Sequence, residues 1–242
     1  MNLTRLVVLA NSWKHGDWCI AGIDLDTGKW VRPVTNLNDG RVPRNAMKLD
    51  CYFPALLDII DIPLAPTGPD YDFECENRSI LPGPWHHRGA LAPRDLRNFV
   101  ERPPCVLHNH TKYVTPEEML QKPFNDRVTL QLIYVKRLGI RDARRNPTDK
   151  HIWKGIVPSG GRPLEANITD PILHGRLDRG EGPPTGPCLV TMSLGMPYKP
   201  PHWPPDAKPG HWKLIAGVID ITQPASSAPN PSHVSRIQGS AY

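Results

Sequence analysis

Asn11, Ser12, Trp13, Lys14 and His15 stand in a row between two apolar runs, so an amide, a hydroxyl, an ammonium and an imidazole flank one indole. Such donors suit phosphate oxygens and base edges, and the indole offers a π-face. The plainer alternative is a solvated hairpin in which Asn11 and Ser12 only close the turn. Trp30 and Arg32 are two apart in KWVRPV, which on a strand sets a stacking ring beside a guanidinium on one face. Equally, Trp30 packs in a core and Arg32 pairs with an acid such as Asp24 or Glu76. The densest positive run, residues 136–154, holds Lys136, Arg137, Arg141, Arg144, Arg145, Lys150 and Lys154 against Asp142 and Asp149, with His151 and Trp153 interleaved. That is the make-up of an electrostatic track with a stacking group, although a charge run is more often a solvated face.

Other constellations point to chemistry less directly. His86, His87, His108 and His110 with Cys105 lack the usual metal-ligand spacing. Asp70, Asp72, Glu74 and Glu76 alternate along one segment and read as an acidic strand edge before a divalent-ion site. Ser193 and Lys213 lie in neighbouring expected strands, as nucleophile and base would, but no nucleophile elbow or S-x-x-K accompanies them. Asp170, held extended before Pro171, is suited to capping a turn. The P-loop, dinucleotide, zinc-protease and deaminase signatures are all missing. No catalytic residue, metal or cofactor is therefore assigned; a non-catalytic binding module is favoured, with catalysis left open.

The elements that position these residues are short strands. With 29 prolines in 242 residues, against a usual share of roughly 5%, long helices are not expected. Strands are expected at 5–10, 18–24 and 29–34, with Asp26-Thr27-Gly28 turning the last two into a hairpin, then within 49–64 and at 70–76. Short helices fit 94–100 and 115–121, the second opening with Thr115-Pro116-Glu117-Glu118. A second strand series follows at 128–138, 151–158, 164–169, 188–194 and 212–221, with glycine-rich turns at 159–162 and 179–186. The expected organisation is all-β with a few short helices: two small barrels of the oligonucleotide-binding (OB) type in tandem. Residues 1–125 form the first, with a proline-rich insertion, 126–222 the second, and 223–242 a flexible tail.

The net charge of +5 permits a polyanionic partner. Five cysteines without a C-x-x-C pair read as reduced, mostly buried thiols. No apolar run reaches the roughly 18 residues of a membrane span, and the N-terminus does not read as a signal peptide, so a soluble cytoplasmic protein is expected.

Five segments resemble a known family in order along the chain: LVVLANSWKHGDWCIAGIDLDTGKWVRPV (6–34), ECEN (74–77), ITDP (168–171), VTMSLGMPY (190–198) and WKLIAGVI (212–219). They are similar to the bacterial dual OB-containing domain family, over nearly the whole chain except the tail. The resemblance implies two OB-like barrels and a nucleic-acid partner, DNA or RNA, single-stranded or modified, bound by a sensor in a defence or repair system. Family members often carry arginine where Trp13 stands and a glycine pair at Gly16-Asp17, so this loop exchanges a phosphate contact for a stacking ring. The alternative is a nucleotide or small-molecule site, enzymatic or not, at the barrel junction around Ser12, Lys14, His15, Trp30 and Arg32. Salt separates the two, because tracking a phosphate backbone is strongly salt-dependent.

Overall fold

The computed structural model describes residues 3–14, 16–47, 49 and 53–222. His15, Cys51 and the expected tail lie outside these residues, as does the side chain of Lys14.

In the first half, aliphatic runs form β1 (Leu3–Lys14), β2 (Asp17–Asp24), β3 (Trp30–Val34) and β4 (Asp58–Pro63), and the polar segments β5 (Asn77–Ser79) and β6 (His86–Ala90) pair at the edges. They make one sheet ordered β5-β3-β2-β1-β4-β6. The Asp24 carboxylate accepts from the Asp26 amide and the Thr27 hydroxyl, closing the expected β2–β3 turn. β3 and β5 run parallel while β1 pairs antiparallel with both β2 and β4. A bridge between Leu64 and Ile80 ties the ends of β4 and β5, so the sheet curls around Leu6, Val8, Ile20, Ile60, Ile62 and Trp85.

Two short 3-10 segments, Pro93–Phe99 and Val106–His108, lead to β7 (Tyr113–Val114) and α1 (Pro116–Leu120). Thr115 caps α1 in a full capping box with Glu118, as its sequence predicts. The second sheet comprises β8 (Leu130–Val135), β9 (Gly139–Asp142), β10 (Trp153–Ser159), β11 (Arg162–Ile168), β12 (Cys188–Tyr198) and β13 (Gly210–Asp220), ordered β8-β12-β13-β11-β10-β9, with β7 added to β13. β11 and β13 are parallel. Residues 136–138 alone separate β8 from β9, so one bent strand serves both edges. Both sheets thus repeat one connectivity: the first strand between the second and fourth, the third parallel to the fifth. This is a Greek-key order of the OB kind, although among the described residues neither sheet is closed by a continuous ladder.

Two expectations are corrected. Residues 70–76 are a run of turns, not a strand, with Tyr71 and Asp72 at φ of 48° and 67°. Phe73 from this segment enters the second core and packs on His211, ring centroids 4.0 Å apart. Between β11 and β12 lies an unexpected helix, α2 (Pro171–Asp178). Asp170 caps it through the amides of Ile172 and Leu173, and Leu173 and Leu177 bury its inner face. Of the described cysteines Cys188 is buried and Cys19, Cys75 and Cys105 are half-buried. No helix among the described residues is long and apolar enough to cross a membrane.

The two sheets are packed on each other. Val7, Leu9 and Ile23 of the first meet Leu132, Leu189 and Ile219 of the second. A bulge between Val8 and Ala10 turns the Leu9 carbonyl outward, where the Thr191 hydroxyl donates to it at 2.6 Å. Gly217 lies against the same carbonyl: a Cβ there would sit 2.4 Å from Leu9 O. Gly217→Ala is therefore expected to lower stability by about 1–3 kcal/mol through overpacking, read as a fall of several degrees in the melting midpoint. An unchanged midpoint would show that Gly217 and the Val8/Ala10 bulge do not meet as described.

Candidate nucleic-acid interface

Strand alternation gives the second sheet an inner and an outer face. Val157, Leu164, Ala166 and Ile168 point into the core, which turns Lys154, Glu165 and Asn167 outward. Register sets Lys154 between Arg141 of β9 and Asn167 of β11. Three cations converge on Glu165: Arg141 at 2.7 Å, Lys154 at 3.0 Å and Lys112 at 3.5 Å. Hydrogen bonding to Arg141 leads, and with the two lysines it holds the Glu165 carboxyl down to about 2. Three cations around one carboxylate leave a surplus of two positive charges on this face.

The same face continues into aromatic rings. His211 and Lys213 are buried, so Trp212 of β13 turns outward, paired across the ladder with Tyr113 of β7. Their ring centroids are 5.2 Å apart, and Trp203 from the β12–β13 connection completes the cluster at 5.3 Å from Tyr113 and 5.6 Å from Trp212. All three are partly exposed. Lys112, next to Tyr113 in the chain, joins the cations to the rings. At the far end the Trp212 indole N–H donates to the Tyr198 carbonyl at 2.9 Å. None of Lys112, Tyr113, Trp203 and Trp212 is singled out by the sequence: the first three lie in connections that read as spacers, and Trp212 opens an expected strand in which nothing local marks it as a ring of an outer cluster.

The basic run is divided by the fold. Arg141 and Lys154 reach the outer face. Arg144 is spent on its own loop, pairing with Asp142 at 2.8 Å and donating to the Pro147 carbonyl at 3.0 Å. His151 also holds Asp142, at 2.7 Å, and stacks on Trp153 at 4.8 Å. Trp153 in turn donates to Asp178 of α2 at 2.7 Å. Adjacent residues of a strand face opposite ways, so Trp153 sits across β10 from Lys154 rather than beside it. Arg145 and Lys150 are exposed on the β9–β10 loop, and Lys136 and Arg137 on the bend before β9.

Trp30 and Arg32 do share a face, and it is turned toward the second unit. Trp30 packs between the units and donates to Glu101 at 3.3 Å. Arg32, 7% exposed, pairs with Glu74, lies 3.0 Å from Glu76 and donates to the Thr129 hydroxyl at 2.9 Å. Thr129 donates onward to Glu76, and the Asn77 amide donates to Glu74 at 2.7 Å. Burial opposes the charge on Arg32, but the two glutamates more than offset it and raise its pKa; burial also raises that of Glu76. Asn11 is turned away, donating to the Pro54 carbonyl at 2.5 Å. Ser12 is buried, while Trp13 is 50% exposed and edge-on to Trp18.

Two cavities lie between the units. The larger, about 690 Å³, is acidic, with Asp70, Glu74, Glu76 and Glu101 in its lining. Burial raises Glu101 as it does Glu76. The smaller, about 320 Å³, is lined by Ser12, Trp13, Arg32, Ser193, Tyr198 and Leu214 among others. Ser193 and Lys213 are not brought together: Ser193 bonds the Leu194 carbonyl, while the Lys213 ammonium donates to the Val106 and Asn109 carbonyls, each at 2.6 Å. The described residues hold no His, Cys, Asp and Glu group with the geometry for a metal ion.

A family model described as the dual OB-containing domain matches residues 4–218. No curated protein and no solved structure matches the chain.

Proposed function

For a chain that belongs to the dual OB-containing domain family, and so is built as an OB-fold binding module, we propose that the second unit binds single-stranded nucleic acid along its outer face. One observation carries this reading. Arg141, Lys154 and Lys112 lie on the same outward surface as the Tyr113, Trp203 and Trp212 rings. Cations that track phosphates beside rings that stack bases are what sequence-tolerant strand binding requires. The surface is built from the second and third strands of the OB order, flanked by the connections between strands one and two and between four and five, the elements with which OB folds hold oligonucleotides.

Fluorescence anisotropy with a labelled single strand of about 20 nucleotides, longer than one OB site, tests it. Three phosphate contacts give a salt slope of about −2, so affinity should fall roughly 15-fold from 50 to 200 mM salt. Trp203→Ala, which removes one stacking ring, should lower affinity by about tenfold. Absence of binding at 50 mM salt, or binding indifferent to both changes, would remove the reading and leave a protein or small-molecule partner for the module.

A further inference from the structure

The smaller cavity, about 320 Å³, opens where β1, β2 and β3 of the first unit face β12 and β13 of the second. Ala10 and Ala21 supply aliphatic wall on one side, Leu214 and Ala216 on the other. Two aromatic side chains in the lining remain half-exposed, Trp13 at 50% and Tyr198 at 54%. The Arg32–Glu74 pair lies in the floor. Arg32 keeps a donor in reserve, since its Nε makes no hydrogen bond among the described residues. Apolar walls, a few fixed polar groups and exposed rings suit a planar heteroaromatic ligand. An acyl chain would leave the guanidinium without use, and a bare phosphate would gain nothing from the rings. At the low end of the roughly 300–1,000 Å³ of ligand pockets, the space suits one nucleoside and not a stacked pair.

We infer that this cavity captures a single nucleobase, its ring against Trp13 and Tyr198 and its edge against Arg32. The source of the base rests on the strand reading above: Tyr198 is tied to Trp212 of the outer face by the indole hydrogen bond, so a strand lying there passes the cavity mouth. Capture itself rests on the cavity alone and extends to a free nucleoside.

The probes are 2-aminopurine nucleoside, whose fluorescence is quenched by stacking, and an unmodified labelled single strand. Wild type should quench the nucleoside saturably, and Trp13→Ala/Tyr198→Ala, at two half-exposed positions, should weaken that by at least about tenfold. The same variant, its fold checked by circular dichroism, should also bind the strand about fivefold or more weakly, because the captured base comes from that strand, while binding through the intact rings of the outer face persists. No saturable quenching by wild type, or equal quenching by the variant, overturns the pocket; strand binding in that case leaves the surface reading standing. Quenching without strand binding keeps the nucleobase pocket and discards the strand as its source.

Discussion

Arg32→Met is expected to cost the folded protein about 3–5 kcal/mol, because it strands two buried carboxylates that share one guanidinium. Glu74 and Glu76 are 2% and 8% exposed, so water cannot take over the role of Arg32. Burial already pushes the Glu76 carboxyl upward with the arginine present. Methionine keeps much of the side-chain volume, so the effect isolates charge and hydrogen bonds from a packing void. Chemical denaturation of wild type, Arg32→Met and Arg32→Met/Glu74→Gln/Glu76→Gln measures it. The triple variant should recover at least half of the loss, since amides at these positions need no counter-charge. A single variant within about 1 kcal/mol of wild type, below the 3–5 expected of a broken buried pair, would show that the glutamates are not held as described. The cluster also links the units: Arg32 and Glu76 belong to the first sheet region and Thr129 leads into β8. Loss of Arg32 should therefore loosen the junction that shapes the smaller cavity.

How far the sequence foretold this arrangement depends on whether the signal was local. The long strands of both sheets follow from runs of aliphatic residues, and the α1 start from Thr115-Pro116 with its acids. Polar β5 and β6 carry no such run and are fixed by their pairing with β3 and β4. Asp170-Pro171 carries the same cap-then-proline signature before α2, and Leu173 and Leu177 have helical spacing. An aspartate held extended before a proline serves a turn as well as a helix start, and with the expected strand 164–169 directly before it the local signal points to the turn. Acids at alternate positions from 70 to 76 imitate a wet strand edge; left-handed Tyr71 and Asp72 break the strand, and Arg32 behind the segment draws Glu74 and Glu76 inward. That buried partner is a tertiary fact. Strand parity alone separates Trp153 from Lys154, so the division of the basic run was readable. The aromatic cluster was not, because Tyr113 and Trp212 meet only through pairing of the two-residue β7 with β13.

Reversing charge on the proposed surface should have the largest effect on binding. Around Glu165, three cations and one acid give +2; Arg141→Glu/Lys154→Glu leaves one cation against three acids, or −2. Each lost contact is worth about 1 kcal/mol at roughly 4 Å in water, and repulsion by the new carboxylate adds a similar amount. With screening, affinity should fall by about 100-fold at low salt, and the salt slope should flatten by about 1.4 for two contacts. Net charge alone would also weaken binding, so position must be separated from sum. Arg94→Glu/Arg97→Glu, at exposed sites of the Pro93–Phe99 segment, makes the same change from +5 to +1, four units for two reversals. That control should cost much less than the surface pair and leave the slope intact, because long-range attraction falls off within a Debye length of about 10 Å. Equal losses in the two variants would mean that the strand responds to overall charge, and the outer face of the second unit would then lose its claim as the interface.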